Sequence, residues 1–154
     1  MTNQAEKYHI NIAGEFYVAA ELQRRGVSAA VTYGNAKKAD VIAFTSGGER
    51  AVVIEVKSTA QPKWIIGSYV PEEGKNPWVL VHVPSDATAP PSYYILTQSE
   101  IRAICVPISK AYTDKYKQKH GVDYGDKPGV VSLTKDQAKD HKDAWDKILK
   151  EIET

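Results

Sequence analysis

The chain has a single cysteine, Cys105, in 154 residues. No intramolecular disulfide and no cysteine-built zinc site can form from it, and the scarcity suits a reducing compartment. No stretch approaches the roughly 18 apolar residues of a membrane-spanning helix. Met1 to Glu6 are polar and lack the apolar heart of a secretion signal. Excess charge is missing too: 20 Lys and Arg stand against 19 Asp and Glu, a net +1. A histone-like basic coat is excluded, so contact with nucleic acid would need a local patch. There is no phosphate-cradling glycine loop, no nucleophile elbow and no His-Glu-x-x-His. His9, His82, His120 and His141 share no metal-ligand spacing and read as surface or half-buried polar residues. The expectation is a soluble, cytoplasmic protein without membrane contact.

What is present is ordinary globular material, 42% apolar and 25% charged, of a length that predicts one domain over residues 1–154. Residues 5–25 read as a helix with Tyr8, Ile12, Phe16, Ala19 and Leu22 as its apolar stripe and Gly26 just past its end. Strands are expected at 27–33, 39–44 and 50–58, the last two joined by a tight Gly47-Gly48 hairpin. A connection over 59–76 leads to strands at 78–83 and 93–96. Thr97 with Glu100 has capping-box spacing and opens a helix. Pro107 is expected to end its first section, and a second is expected to stop at Gly121. A strand near 129–133 and a last helix with Ala138, His141, Trp145, Ile148 and Ile152 on one stripe complete a mixed α/β domain. Trp78, Trp145 and Cys105 read as core.

One constellation is chemically unusual. In Val52-Val53-Ile54-Glu55-Val56-Lys57 a carboxylate and an ammonium interrupt an apolar strand, and alternation sends both to one face. With Gly47 and Gly48 as turn residues, paired positions sum to 95, which sets Asp40 opposite Glu55. Two carboxylates so placed repel unless a proton or cation lies between them. Oxygen ligands beside a lysine suit Mg²⁺ or Mn²⁺ better than zinc. Glu15, a charge on the apolar stripe of the first helix, would point to the same cluster if that stripe packs on the sheet. The plainer alternative is a salt bridge of Lys57 with one acid, or an edge strand whose polar face meets water.

These residues resemble a known family. Gly14-Glu15-Phe16-Tyr17-Val18-Ala19-Ala20-Glu21-Leu22, Ala39-Asp40-Val41-Ile42-Ala43 and Ile54-Glu55-Val56-Lys57-Ser58 are similar to the PD-(D/E)XK nuclease superfamily, with Ala39 in place of the motif's proline. The resemblance implies a restriction-endonuclease-like fold: an N-terminal helix, then a mixed sheet with an antiparallel hairpin, flanked by helices. It also implies a metal-dependent nuclease. Asp40, Glu55 and the Val56 carbonyl would hold Mg²⁺ (or Mn²⁺ as substitute), Lys57 would position or deprotonate water, and Glu15 would serve a second metal or a bound water. Lys37 and Lys38 would sit at the rim as phosphate contacts, unless their loop is merely solvated. Lys63 and Trp64 follow in the long connection, where Trp64 could stack on a base or cap the core. Lys110, Lys115, Lys117 and Lys119 with Tyr112 and Tyr116 read as a solvated basic helix.

DNA is the expected partner, without evident sequence specificity, and a homodimer would suit cutting of both strands. Two other classes compete. One is a catalytically inactive nuclease-fold protein that binds nucleic acid or protein. The other is an immunity-type partner using its acids as a binding surface.

Overall fold

A computed structural model describes residues 3–32, 40–67, 70–123, 125 and 131–153. Asn3 caps the first helix, α1 (Gln4–Arg24): its side chain accepts from the Glu6 amide at 2.8 Å, and Glu6 answers the Asn3 amide. The buried face is Gly14, Glu15, Val18, Ala19 and Leu22. Tyr8 and Phe16, expected on that face, are 61% and 49% exposed. The reason is close approach. A Cβ on Gly14 would lie 1.7 Å from Ser58 Oγ and 2.7 Å from Ser58 Cβ, so the helix rests on its smallest residue, and bulky neighbours turn outward.

The main sheet has strands β1 (Ala29–Val31), β2 (Val41–Phe44), β3 (Ala51–Thr59), β5 (Trp78–His82) and β6 (Ser92–Leu96), in the order β1-β2-β3-β5-β6. β3 and β5 run parallel, and the other neighbours are antiparallel. This is a mixed α/β fold with an N-terminal helix, an antiparallel hairpin and flanking helices. In the hairpin Val41 pairs with Ile54 and Phe44 with Ala51, the expected register. The turn is wider than expected. Thr45 and Arg50 close a four-residue loop, in which the Gly48 amide bonds the Thr45 carbonyl and Gly48 has φ +70°. A loop widened symmetrically leaves the pairing unchanged.

A core lies on each face. Val41, Ala43, Ile54, Val56, Val79 and Val81 meet α1 together with Trp145 and Ile148 of the C-terminal segment. Trp78, Leu80, Tyr94 and Leu96 meet Ile101 and Cys105 of α2 (Gln98–His120) and a two-stranded ribbon. That ribbon pairs β4 (Lys63–Gly67) with β7 (Val131–Thr134). β4 falls where a plain connection was expected. It is a short strand whose apolar Trp64 and Ile66 alternate with exposed Lys63 and Ile65.

Two helix expectations also change. Pro107 does not break α2, which runs on to a left-handed cap at Gly121. Pro107 and Ala103, whose carbonyl it leaves without an amide, are both exposed, on the side of the helix open to solvent. The last helix is interrupted. A capping box on Thr134 opens α3 (Lys135–Ala138), a 3₁₀ turn follows at Lys139–His141, Asp143 takes φ 54°, and α4 (Asp146–Glu153) begins anew. The bend lets Lys142 bridge Tyr94 while Trp145 and Ile148 reach the opposite core. Among the described residues no helix is long and apolar enough to cross a membrane.

Candidate active site

The hairpin places the acids. Thr45 N donates to Arg50 O at 2.9 Å, which makes 45/50 a bonded rung. Alternation then makes 41/54 bonded and 40/55 non-bonded, the kind of pair whose side chains stand closest. On the other side of β3, Glu55 N donates to Pro77 O at 3.0 Å. Glu55 therefore spends its main chain towards β5, and Val56 turns both amide and carbonyl towards β2. The Val56 amide donates to Asp40 Oδ2 at 2.9 Å. A side-chain carboxylate thus takes the main-chain donor just past the last paired residue of β2, with the Val56 carbonyl on the same side.

The Glu55 carboxyl is half-buried, and its pKa is raised, first by burial and then by the negative charge of Asp40. The Lys57 ammonium acts in the opposite direction. The three groups are therefore electrically in touch: two acids, one of them reluctant to ionise, and a cation one step along the strand. Oxygen donors of this kind fit a hard divalent cation such as Mg²⁺.

Glu15 is buried, 5% exposed. It lies in the helix that packs on the Ile54, Val56 and Ser58 face of β3, whereas Glu55 and Lys57 share the other face with their β5 partners Trp78 and Leu80. Among the described residues no three His, Cys, Asp or Glu side chains form a metal-holding group. The arrangement seen is a pair of acids, not a trio.

The expected substrate contacts divide. Lys37 and Lys38 lie outside the described residues. Lys63 is exposed on β4. Of the two readings of Trp64 the core one holds and the stacking one falls: at 1% exposure it has no face to offer a base. Its Nε1 donates to Val81 O at 2.9 Å and its ring meets Tyr94 edge-on, with centroids 5.3 Å apart. It pins the ribbon to the sheet. Trp78, Trp145 and Cys105 are core as expected, and burial pushes the Cys105 thiol up to about 11.

His82, expected as a surface or half-buried polar residue, is partly buried. In the sheet it pairs with Thr59 of β3 and Ser92 of β6, which puts it on the face of Glu55 and Lys57. The period-2 pattern of β5 held that signal, but only the parallel register with β3 makes it legible.

Among solved structures the chain is similar to a bacterial homing endonuclease, I-Ssp6803I, with a TM-score of 0.52, 13% identity, and 98% of this chain and 94% of that one covered. At that identity the likeness is one of fold. No family model matches the chain, and no curated protein does.

Proposed function

We propose that this chain is a metal-dependent nuclease that hydrolyses phosphodiester bonds of DNA. The observation that carries the reading is the Asp40–Glu55 pair, set on adjacent strands so close that Asp40 helps Glu55 keep its proton, with Lys57 beside them. Like charges opposed on a sheet cost stability, and a cation site is a reason to keep them. The fold shared with a homing endonuclease agrees with this chemistry.

Asp40, Glu55 and the Val56 carbonyl would hold Mg²⁺ or Mn²⁺. The ion, when bound, supplies a nucleophile at neutral pH and offsets charge building on the phosphate. The chain's own part is separate. The Val56 amide fixes Asp40 in one orientation. Lys57 orients the attacking water, or takes its proton, and lends positive charge to the transition state. Glu15, buried on the other face of β3, is left out of this set of ligands.

The test is cleavage of linear, nicked, branched and single-stranded DNA, and of RNA, with Mg²⁺ or Mn²⁺. Asp40→Asn and Lys57→Ala should each lower the rate by about 100-fold or more while keeping the fold. No cutting and no Mn²⁺ uptake by calorimetry would favour a nuclease-fold binding protein instead.

A further inference from the structure

The turn between β3 and β4 is a stiff corner. Gln61 N donates to Thr59 Oγ1 at 3.0 Å, Trp64 ties β4 to the Val81 carbonyl, and Lys135 N meets Pro62 O at 3.4 Å. The corner carries His82 on the face of Lys57, two rungs further along the parallel pair. Lys63 pairs with Thr134 across the ribbon, and Lys135 follows Thr134. Lys135 acts on His82, so a lysine and a histidine meet at the end of the sheet to which Glu55 and Lys57 lead, with Lys63 exposed on the adjoining strand.

We propose that His82, Lys135 and Lys63 form a phosphate-binding corner. It would hold the nucleic-acid backbone on the side of Lys57 away from Asp40 and Glu55. The inference rests on the nuclease reading and extends it from the scissile phosphate to a neighbouring one. Phosphate contacts fix register without reading sequence, which suits a protein of net charge +1 that must concentrate its positive charge locally. The imidazole is a partly buried donor. One ring N–H goes to the Ala60 carbonyl; burial and then Lys135 lower the ring's pKa, and the Ala60 bond opposes them. Across the sheet the ring is flanked by Thr59 of β3 and uncharged Ser92 of β6, and among the described residues Lys135 of α3 is the charge that acts on it. No acid is among them. A phosphate oxygen arriving there meets lysines first and draws a proton onto the ring, after which the second nitrogen also donates.

The experiment is fluorescence anisotropy of a labelled DNA duplex without divalent metal. It compares wild type, His82→Gln and Lys135→Ala across salt and from about pH 8 to pH 6. Lys135→Ala should weaken binding about tenfold and lower the salt slope by about 1. His82→Gln should match wild type at the alkaline end and lose the gain in affinity that wild type shows on acidification. A purely structural histidine would change melting temperature and leave that pH profile alone. Binding by wild type with unchanged slope and unchanged pH profile in the variants overturns the corner and leaves the nuclease reading standing. Cleavage absent and duplex unbound by wild type overturns both.

Discussion

At the scale of single residues, Glu55 sets the clearest test of stability against function. Its carboxyl holds a proton more tightly in the folded chain than in the unfolded one, because of burial and Asp40. The folded state therefore binds more protons, and this group's contribution to stability falls as pH rises from the ordinary glutamate range through the raised value. Above the raised value the penalty is present in full. Glu55→Gln removes it, so the metal-free variant should melt about 1 to 3 °C above wild type near pH 7.5. The difference should vanish below about pH 4, where both states of wild type are protonated. Mn²⁺ should reverse the order by stabilising wild type alone, as mass action requires of a ligand that binds only the folded chain. Thermal melts at several pH values, with and without Mn²⁺, decide it. A variant less stable than wild type at pH 7.5 would mean that Lys57, not Asp40, governs the acid. The sequence held most of this residue-scale information. Asp40, Glu55 and Lys57 were legible because strand alternation is short-range and the hairpin register follows from one loop. Trp64 was legible only as one of two alternatives, because its burial is created by β6 and β7, far off in the chain.

At the scale of elements, the join between α1 and β3 decides what Glu15 can reach. Gly14 is the contact point, and its missing side chain fixes how deep the helix sits. Gly14→Ala places a Cβ 2.7 Å from Ser58 Cβ, a clash that no rotation of the serine relieves. It should cost about 1–3 kcal/mol and be measurable as a lower urea midpoint. Ser58→Gly in the same chain should recover part of the loss. Full stability in Gly14→Ala alone would mean that the helix rides up freely. Elements were read well where local chemistry marks their ends, as with Thr97–Glu100 and Gly121. They were misread where a distant partner decides. β4 is a strand only because β7 pairs with it. The last helix breaks because Trp145 and Ile148 are drawn to one face of the sheet while Ala138 is held on the other. The α1 stripe was misjudged because Gly14, uninformative by hydropathy, is the residue that touches.

At the scale of the whole molecule, charge limits how the proposed nuclease would hold nucleic acid. With 20 basic and 19 acidic residues, no long-range field draws DNA over the entire surface. Affinity must come from a few lysines near the acid pair, and salt dependence counts them, because each neutralised phosphate adds about −0.9 to the slope of log affinity against log salt. Lys57, Lys63 and Lys135 together predict a slope of about −2.7, or about −4.5 if Lys37 and Lys38 join them. The shallower slope means that raising salt from about 50 to 200 mM costs about 40-fold in affinity, against a thousandfold or more for proteins with six to ten contacts. A measured slope steeper than about −6 would bring in a second basic surface, and the candidate is the exposed end of α2, with Lys110, Lys115, Lys117 and Lys119. Replacing those four lysines with glutamine should then flatten the slope, whereas a slope near −3 predicts that the same replacement leaves binding within about twofold. Salt titration thus tells the two surfaces apart by itself. Binding confined to the site end of the sheet would also explain why the rest of the molecule carries acids and bases in nearly equal number.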